Sequence, residues 1–333
     1  MCTALTLLTQ QGETFFGRTM DFSYDIRPQI YIIPNNYVWN NTLNMGQFRD
    51  YYSFIGIGQE LDGILGFFDG VNEKGFAAAA LYFAGYAQYD TQLPYPTAQP
   101  VASFDFLHYI LGRCASINDL KNVLENTAII GMPDPVTQTI APLHWIATDR
   151  SGKCVVIEQT DKGLELFYNP IGVMANSPDF QWHMTNLRNY METSPEQTEE
   201  VFWENVRLTP FGLAGGTTTL PGGYTSPERF VRTSYLKTHL PTPKNSMEAI
   251  ISCFHVMESV SIPKGAVISS RGTYDYTKYT AFINTNTCEY FFKTYDNMQV
   301  GSASLFKNHN PFMKPVNLGN LIRPIVFDEI VKN

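Results

Sequence analysis

The chain is short of charge. Only 16% of its 333 residues are Asp, Glu, Lys or Arg, and the formal net charge is −8. Nucleic-acid binding needs a basic stripe to meet phosphates, and none is present, so a nucleic-acid partner is excluded. Cysteine is scarce and scattered: Cys2, Cys114, Cys154, Cys253 and Cys288 are odd in number and form no C-x-x-C pair. Neither a disulfide framework nor a zinc site is indicated, and a reducing cytoplasm is the simplest home. There is no H-E-x-x-H, and GIGQELDG is not followed by the Lys-Ser/Thr of a phosphate loop, so no metal and no cofactor is expected. No run approaches the roughly 20 apolar residues of a membrane helix. The start lacks the basic and apolar regions of a signal peptide.

What the chain does have is apolar bulk. Hydrophobic residues make up 44% and aromatics 14%, which implies a dense aromatic core and suggests contacts between subunits. CTALTLL alternates, turns at Gln11-Gly12 and resumes as ETFFGRTMDF, the pattern of a hairpin. Strand-like runs follow at YIIP, YYSFIGIG, ILGFF and FAAAALYF. Helical spacing covers Ser103 to about Arg113, and a second helix opens at Ser116 with Asp119 in a short capping box. LHWIATDRSGKCVVIEQT is a hairpin, and Pro178 introduces a helix through Asn189. Residues 192–226 read as a long irregular loop. PERFVRTSYLKTHL and NSMEAIISCFHVMESV are helical; KYTAFINTNTCEYFFKTYDN is a hairpin and SASLF a strand. Beyond about Asn308 there is little pattern. Strands come in hairpins and helices in consecutive pairs, which predicts an α+β fold of antiparallel sheets with segregated helices, in one domain.

The opening poses the chemical question. With Gln11 and Gly12 as the hairpin loop, partners sum to 23 and Cys2 faces Asp21. Arg18 then falls on the opposite face, and a bulge near Gly17 or a bend near Met20 is needed to bring it round. Removal of Met1 would leave Cys2 with a free α-amine titrating near 8. Such an amine can take the thiol proton and serve as the built-in base of an N-terminal nucleophile. Asp21 could hold the amine, and the Arg18 guanidinium would favour the thiolate.

MCTALTL with GRTMDF resembles the choloylglycine hydrolase family of bile salt hydrolases and penicillin V acylases. The likeness extends through AALYFAGYAQY, PLHWIATDRSG, GVMANSPDF, LPGGYTSPERFVR and YTAF…YFFKTYDN, from Cys2 to about Phe306. The resemblance implies an N-terminal nucleophile hydrolase with a four-layer αββα fold, a homotetramer that cleaves linear amides through an acyl-thioester. By matching motif, Cys2 is the nucleophile. Arg18 and Asp21 activate the thiol and hold the amine, Asn176 donates to the oxyanion and Arg229 braces the site. Met1 is removed on maturation, leaving residues 2–333, and the stretch 192–226 serves assembly. Position 82 separates members: bile salt hydrolases usually carry Asn there and penicillin V acylases Tyr. Tyr82 therefore implies an aryl acyl group, with its backbone amide serving the oxyanion. Phe22, Tyr24 and Phe67 are the other expected pocket residues. Gly223 stands where the family often has an acid.

The expected activity is penicillin V acylase-like, with conjugated bile salt hydrolysis as the alternative. A non-catalytic amphiphile binder on the same scaffold would need the aromatic pocket but not Cys2, Arg18, Asp21, Asn176 and Arg229 together. A Cys-His enzyme lacks a recognisable histidine: His144 and His255 sit in apolar patterns as core residues. Glutamine amidotransferases generally begin Cys-Gly, whereas Thr3 follows Cys2.

Overall fold

A computed structural model of the chain describes residues 1–308, 313–327 and 329–330. Two antiparallel sheets stack face to face. In the six-stranded sheet the order is Val173–Met174, Cys2–Leu8, Thr14–Phe22, Tyr276–Asn284, Glu289–Thr294 and Gly301–Ser304. In the eight-stranded sheet it is Gly163–Tyr168, Cys154–Thr160, Leu143–Thr148, Ala77–Tyr82, Ile64–Asn72, Phe54–Leu61, Gln29–Ile33 and Val316–Asn320. Alternation divides the second sheet cleanly. Ile55, Ile57, Val71 and Ile146 join the core shared with the first sheet, while Phe54, Trp145, Ala147 and Val155 join a second core beneath the helices Phe106–Leu111 and Ile117–Leu124. Helices Ser226–His239 and Ser246–Glu258 cover the outer face of the first sheet, where Phe254 meets Phe282 edge-on at 5.1 Å. The result is the four-layer αββα arrangement.

Local chemistry sets the helix bounds. Thr225 and Glu228 form a capping box at the start of Ser226–His239. Asn245 accepts from the Glu248 amide at 3.1 Å, and Ser116 from the Asp119 amide at 3.2 Å. Helix Phe106–Leu111 is shorter than its periodicity predicts because Asp105 does not cap it. That carboxylate instead accepts from the Thr42 amide at 3.0 Å.

Three expectations are corrected. Residues 192–226 contain a small hairpin, Val201–Trp203 with Val206–Leu208. Glu204 takes its turn at φ 53°, a position where Asn or Gly is the usual signal. Past Asn308, Val316–Asn320 adds an edge strand to Gln29–Ile33, with a register shift before Gly319, whose φ is 108°. His255 is exposed on its helix, whereas His144 is buried as expected.

Candidate active site

The first hairpin turns over three residues rather than two. The Thr9 amide donates to Glu13 O at 3.0 Å, Gly12 takes φ 79°, and Leu8 pairs with Thr14. Partners therefore sum to 22: Cys2 opposes Met20, and Ala4 opposes Arg18. This one-residue change moves Arg18 onto the face of Cys2 and sends Asp21 to the other. No bulge is needed in this strand. The bulge lies in the neighbouring strand, between Thr277 (opposite Asp21) and Tyr279 (opposite Met20). It places these two residues of like parity on opposite faces of the sheet.

Cys2 is 3% exposed, and its Sγ accepts from Arg18 Nη2 at 2.6 Å. The same guanidinium bridges the two strands at which the facing sheet opens. Nη1 donates to Phe68 O at 3.1 Å and to Ala80 O at 2.7 Å, just beyond the last pair, Asp69 with Ala79. Burial by itself would weaken the Arg18 cation, but Cys2, Tyr279, Asp69 and Asp21 around it raise its pKa instead.

On the helix side of the sheet, Arg229 is fully buried and donates to Cys2 O, to Thr3 Oγ1 at 2.5 Å, to Asn176 Oδ1 at 2.6 Å and to Tyr224 O at 3.0 Å. Asp21 lies 3.9 Å from it and accepts from Thr19 Oγ1 at 3.0 Å and Thr277 Oγ1 at 2.5 Å. Burial pushes the Asp21 carboxyl up, while Arg229 pulls it back. The backbone of Asp21 pairs with Met1 in both directions, at 2.6 and 3.0 Å.

Asn176 ties these groups together. Its Oδ1 accepts from Cys2 N at 2.7 Å as well as from Arg229, and its Nδ2 donates to Tyr82 O at 2.7 Å. Two donors on one side and a carbonyl on the other fix the amide orientation. One Nδ2 hydrogen remains available. Phe83 N bonds Pro142 O at 2.8 Å, so ladder parity turns the N–H and C=O of Tyr82 away from the Leu143–Thr148 strand. They face the gap left where Ile64–Asn72 has separated. The loop is braced from behind. His183 Nε2 donates to Asn176 O at 2.8 Å, His144 Nε2 to Ala175 O at 3.0 Å, and Ser226 Oγ accepts from Asn176 N at 2.8 Å. Burial lowers the His183 pKa to about 4, which keeps it neutral.

Above Cys2 opens a cleft of about 860 Å³, open mouth included, with apolar walls. Phe22, Phe67 and Tyr82 line it, together with Phe68, Val136 and Leu143. Tyr24 does not. It stands behind Phe22 at 5.0 Å, under the Arg271 guanidinium at 3.4 Å. The Phe22 and Tyr82 rings are 6.3 Å apart. At Gly223 the space a Cβ would take is held by the Glu228 carboxylate, 2.3 Å away, which itself accepts from Gly223 N, so an acid there would have to displace that side chain. Among the described residues, no cluster of His, Cys, Asp or Glu is arranged to hold a metal ion.

A family model described as linear amide C–N hydrolases, choloylglycine hydrolase family, matches residues 2–318. The chain belongs to the choloylglycine hydrolase family. It is 33% identical over 311 residues to a bile salt hydrolase/transferase from Clostridium perfringens, covering 93% of this chain and 94% of that one. A penicillin V acylase from Pectobacterium atrosepticum is 25% identical, covering 84% and 73% of the two chains. The crystal structure of a cysteine-to-alanine variant of the Clostridium perfringens conjugated bile acid hydrolase superposes with a TM-score of 0.91 at 29% identity, over 99% of this chain and 100% of that one. This choloylglycine hydrolase family member is thus an enzyme acting on linear amides, with the N-terminal nucleophile hydrolase fold.

The structure brings Cys2, Arg18, Asp21, Asn176 and Arg229 into one connected network. Sequence reasoning passed over Thr3, Thr19, Thr277, Ser226 and His183, whose side chains hold Arg229, Asp21 and Asn176. A threonine alternating in a strand gives no sign of which buried charge it will meet.

Proposed function

We propose that the protein hydrolyses linear amides with an apolar, ring-bearing acyl group, of the penicillin V type, using Cys2 as nucleophile. The reading is carried by one observation: the Cys2 sulfur lies on the cleft floor 2.6 Å from Arg18 Nη2 while its nitrogen is fixed by Asn176. With Met1 removed, the Cys2 amine takes the thiol proton and Sγ attacks the amide carbon. The free Nδ2 hydrogen of Asn176 and the Tyr82 N–H receive the oxyanion, contacts of a class worth about 3–4 kcal/mol of barrier. The C–N bond breaks as the amine product takes the proton from the Cys2 ammonium. Water then gives a proton to the same amine and its oxygen attacks the thioester; the C–S bond breaks, Sγ takes the proton back from the ammonium, and the acid is released. The aryl preference rests on the Phe22 and Tyr82 rings, which line the cleft 6.3 Å apart and tilted 60° to one another.

A second reading, conjugated bile salts as substrate, is favoured by the 33% identity to a bile salt hydrolase/transferase over nearly the whole chain. Side-by-side release from penicillin V and from glyco- and tauro-conjugated bile salts separates the two. A kcat/KM about tenfold or more higher on bile salts would replace the first reading by the second. Substantial turnover by Cys2→Ala would remove the mechanism itself.

The enzyme assembles with copies of itself as a homotetramer through the hairpin at 201–208, where Phe202 and Trp203 are strongly exposed. Light scattering on Phe202→Ser/Trp203→Ser should report a smaller particle. The five free, buried cysteines fit a reducing cytoplasm.

A further inference from the structure

Two arginines are buried at this site, one on each face of the six-stranded sheet, and each needs a counter-charge to justify its burial. Arg229, on the helix face, has Asp21 at 3.9 Å. Among the described residues, Arg18, between the sheets, has no salt bridge within that reach. The carboxylate nearest in sequence to its anchoring carbonyls is Asp69, which follows Phe68 directly and ends the pairing with Ala79. Asp69 is 1% exposed. Its Oδ2 accepts from Tyr279 Oη at 2.6 Å and its Oδ1 from Tyr290 Oη at 2.7 Å. Both tyrosines belong to the opposite sheet, so the carboxylate reaches across the inter-sheet core. Each oxygen receives a short hydroxyl bond; burial pushes the Asp69 carboxyl up, while Arg18 and the two hydroxyl donors pull it back. The groups facing it are Arg18 and the two tyrosines, and Tyr279 also lies within electrostatic reach of Cys2. None of the steps above uses Asp69.

We propose that Asp69 is a positioning residue that offsets the Arg18 charge and so sets how readily the Cys2 thiol ionises. Arg18 alone would over-stabilise a thiolate, and a thiolate of low basicity is a weaker nucleophile. Asp69 holds part of that charge back, leaving the proton for the Cys2 amine to take. The Tyr279 and Tyr290 hydroxyls hold the carboxylate in the inter-sheet core, where burial strengthens its influence on Arg18. The inference rests on the reading of Cys2 as nucleophile and adds a control on its reactivity.

The test is the pH dependence of Cys2 alkylation by iodoacetamide on the Met1-free enzyme, with the modified residue located by peptide mass. Asp69→Asn keeps the side-chain shape and can still bond both hydroxyls. Its alkylation midpoint should fall by about half a pH unit or more, because a negative charge near Arg18 is gone. Its kcat/KM at neutral pH should fall several-fold. Asp69→Ser, neutral by a different route, should move the midpoint the same way. Tyr290→Phe removes one of the two donors but leaves the carboxyl group, so it should lower the melting temperature and move the midpoint less than Asp69→Asn does. Midpoints that coincide with the unmodified enzyme in both neutral variants would overturn the proposal. So would failure of both to fold, which would assign the carboxylate to holding the sheets together. Should the unmodified enzyme show neither Cys2 alkylation nor amide hydrolysis, the nucleophile reading fails first. Normal alkylation and hydrolysis with unmoved variants sinks the Asp69 role alone.

Discussion

Replacing Asn176 by alanine removes three buried hydrogen bonds at once: Cys2 N and Arg229 Nη2 lose their shared acceptor, and Tyr82 O loses its donor. An unpaired buried polar group costs about 1–3 kcal/mol. Arg229 keeps its bonds to Thr3 Oγ1 and Tyr224 O, and the cleft admits water near Tyr82, so the terms do not simply add. A stability loss of about 3 kcal/mol is expected. The rate should suffer more. Losing one oxyanion donor lowers kcat by about 10²–10³, and freeing the Cys2 nitrogen costs further in orientation. Asn176→Asp separates the two effects. It keeps an acceptor for Cys2 N and Arg229, so its stability loss should be about 1–2 kcal/mol. It also puts a negative charge where the oxyanion forms, so its activity should be as low as that of alanine. Urea melts and hydrolysis of a phenoxyacetyl amide read the two quantities. Asn176→Ala with kcat within about tenfold of the unmodified enzyme would refute the reasoning.

A chain engineered to retain Met1 should hydrolyse no amide while folding normally, because the Cys2 nitrogen is then an amide and no base; intact mass and turnover check this. Gly17→Ala should be destabilised by about 3 kcal/mol, since its Cβ would lie 2.2 Å from Phe282 Cδ1 and 2.3 Å from Ala281 O, a clash the paired strands cannot relieve. His183 titrates near 6.5 when unfolded and near 4 in the fold. Its neutral form therefore contributes stability that is fully present above about pH 6.5 and is lost as pH falls towards 4, up to about 3 kcal/mol. His183→Asn should flatten the fall in melting temperature between pH 7 and pH 5. An unchanged slope would contradict that assignment.

Much of the fold was legible because burial and alternation coincide. Strands such as Phe54–Leu61 and Leu143–Thr148 sit between two cores, and their apolar runs declare it. The misreadings have local causes. Gln10 gives no sign that it belongs to the turn, so the hairpin register came out one residue long, with Asp21 on the wrong face. The exposed hairpin at 201–208 turns on Glu204, a residue type that rarely takes positive φ. The strand Val316–Asn320 packs only an edge and carries a half-polar sequence. At the site, the charged residues were readable by motif. Their partners were not, because strand-to-strand neighbours such as Thr277 and Asp21 are 256 residues apart.

The sheet itself makes the site workable. Had Arg18, Arg229, Asp21 and Cys2 shared one face, two guanidiniums would crowd a single sulfur and the carboxylate would compete for both. Alternation assigns Arg18 and Sγ to the inter-sheet face and Asp21 to the other, where Arg229 meets it from its helix. Cys2 alone is addressed from both: its side chain meets Arg18, while its nitrogen and carbonyl meet Asn176 and Arg229. The field that favours the thiolate is thereby separated from the contacts that hold the backbone. A substitution on the helix face should accordingly disturb where the nucleophile stands, and one between the sheets how reactive it is.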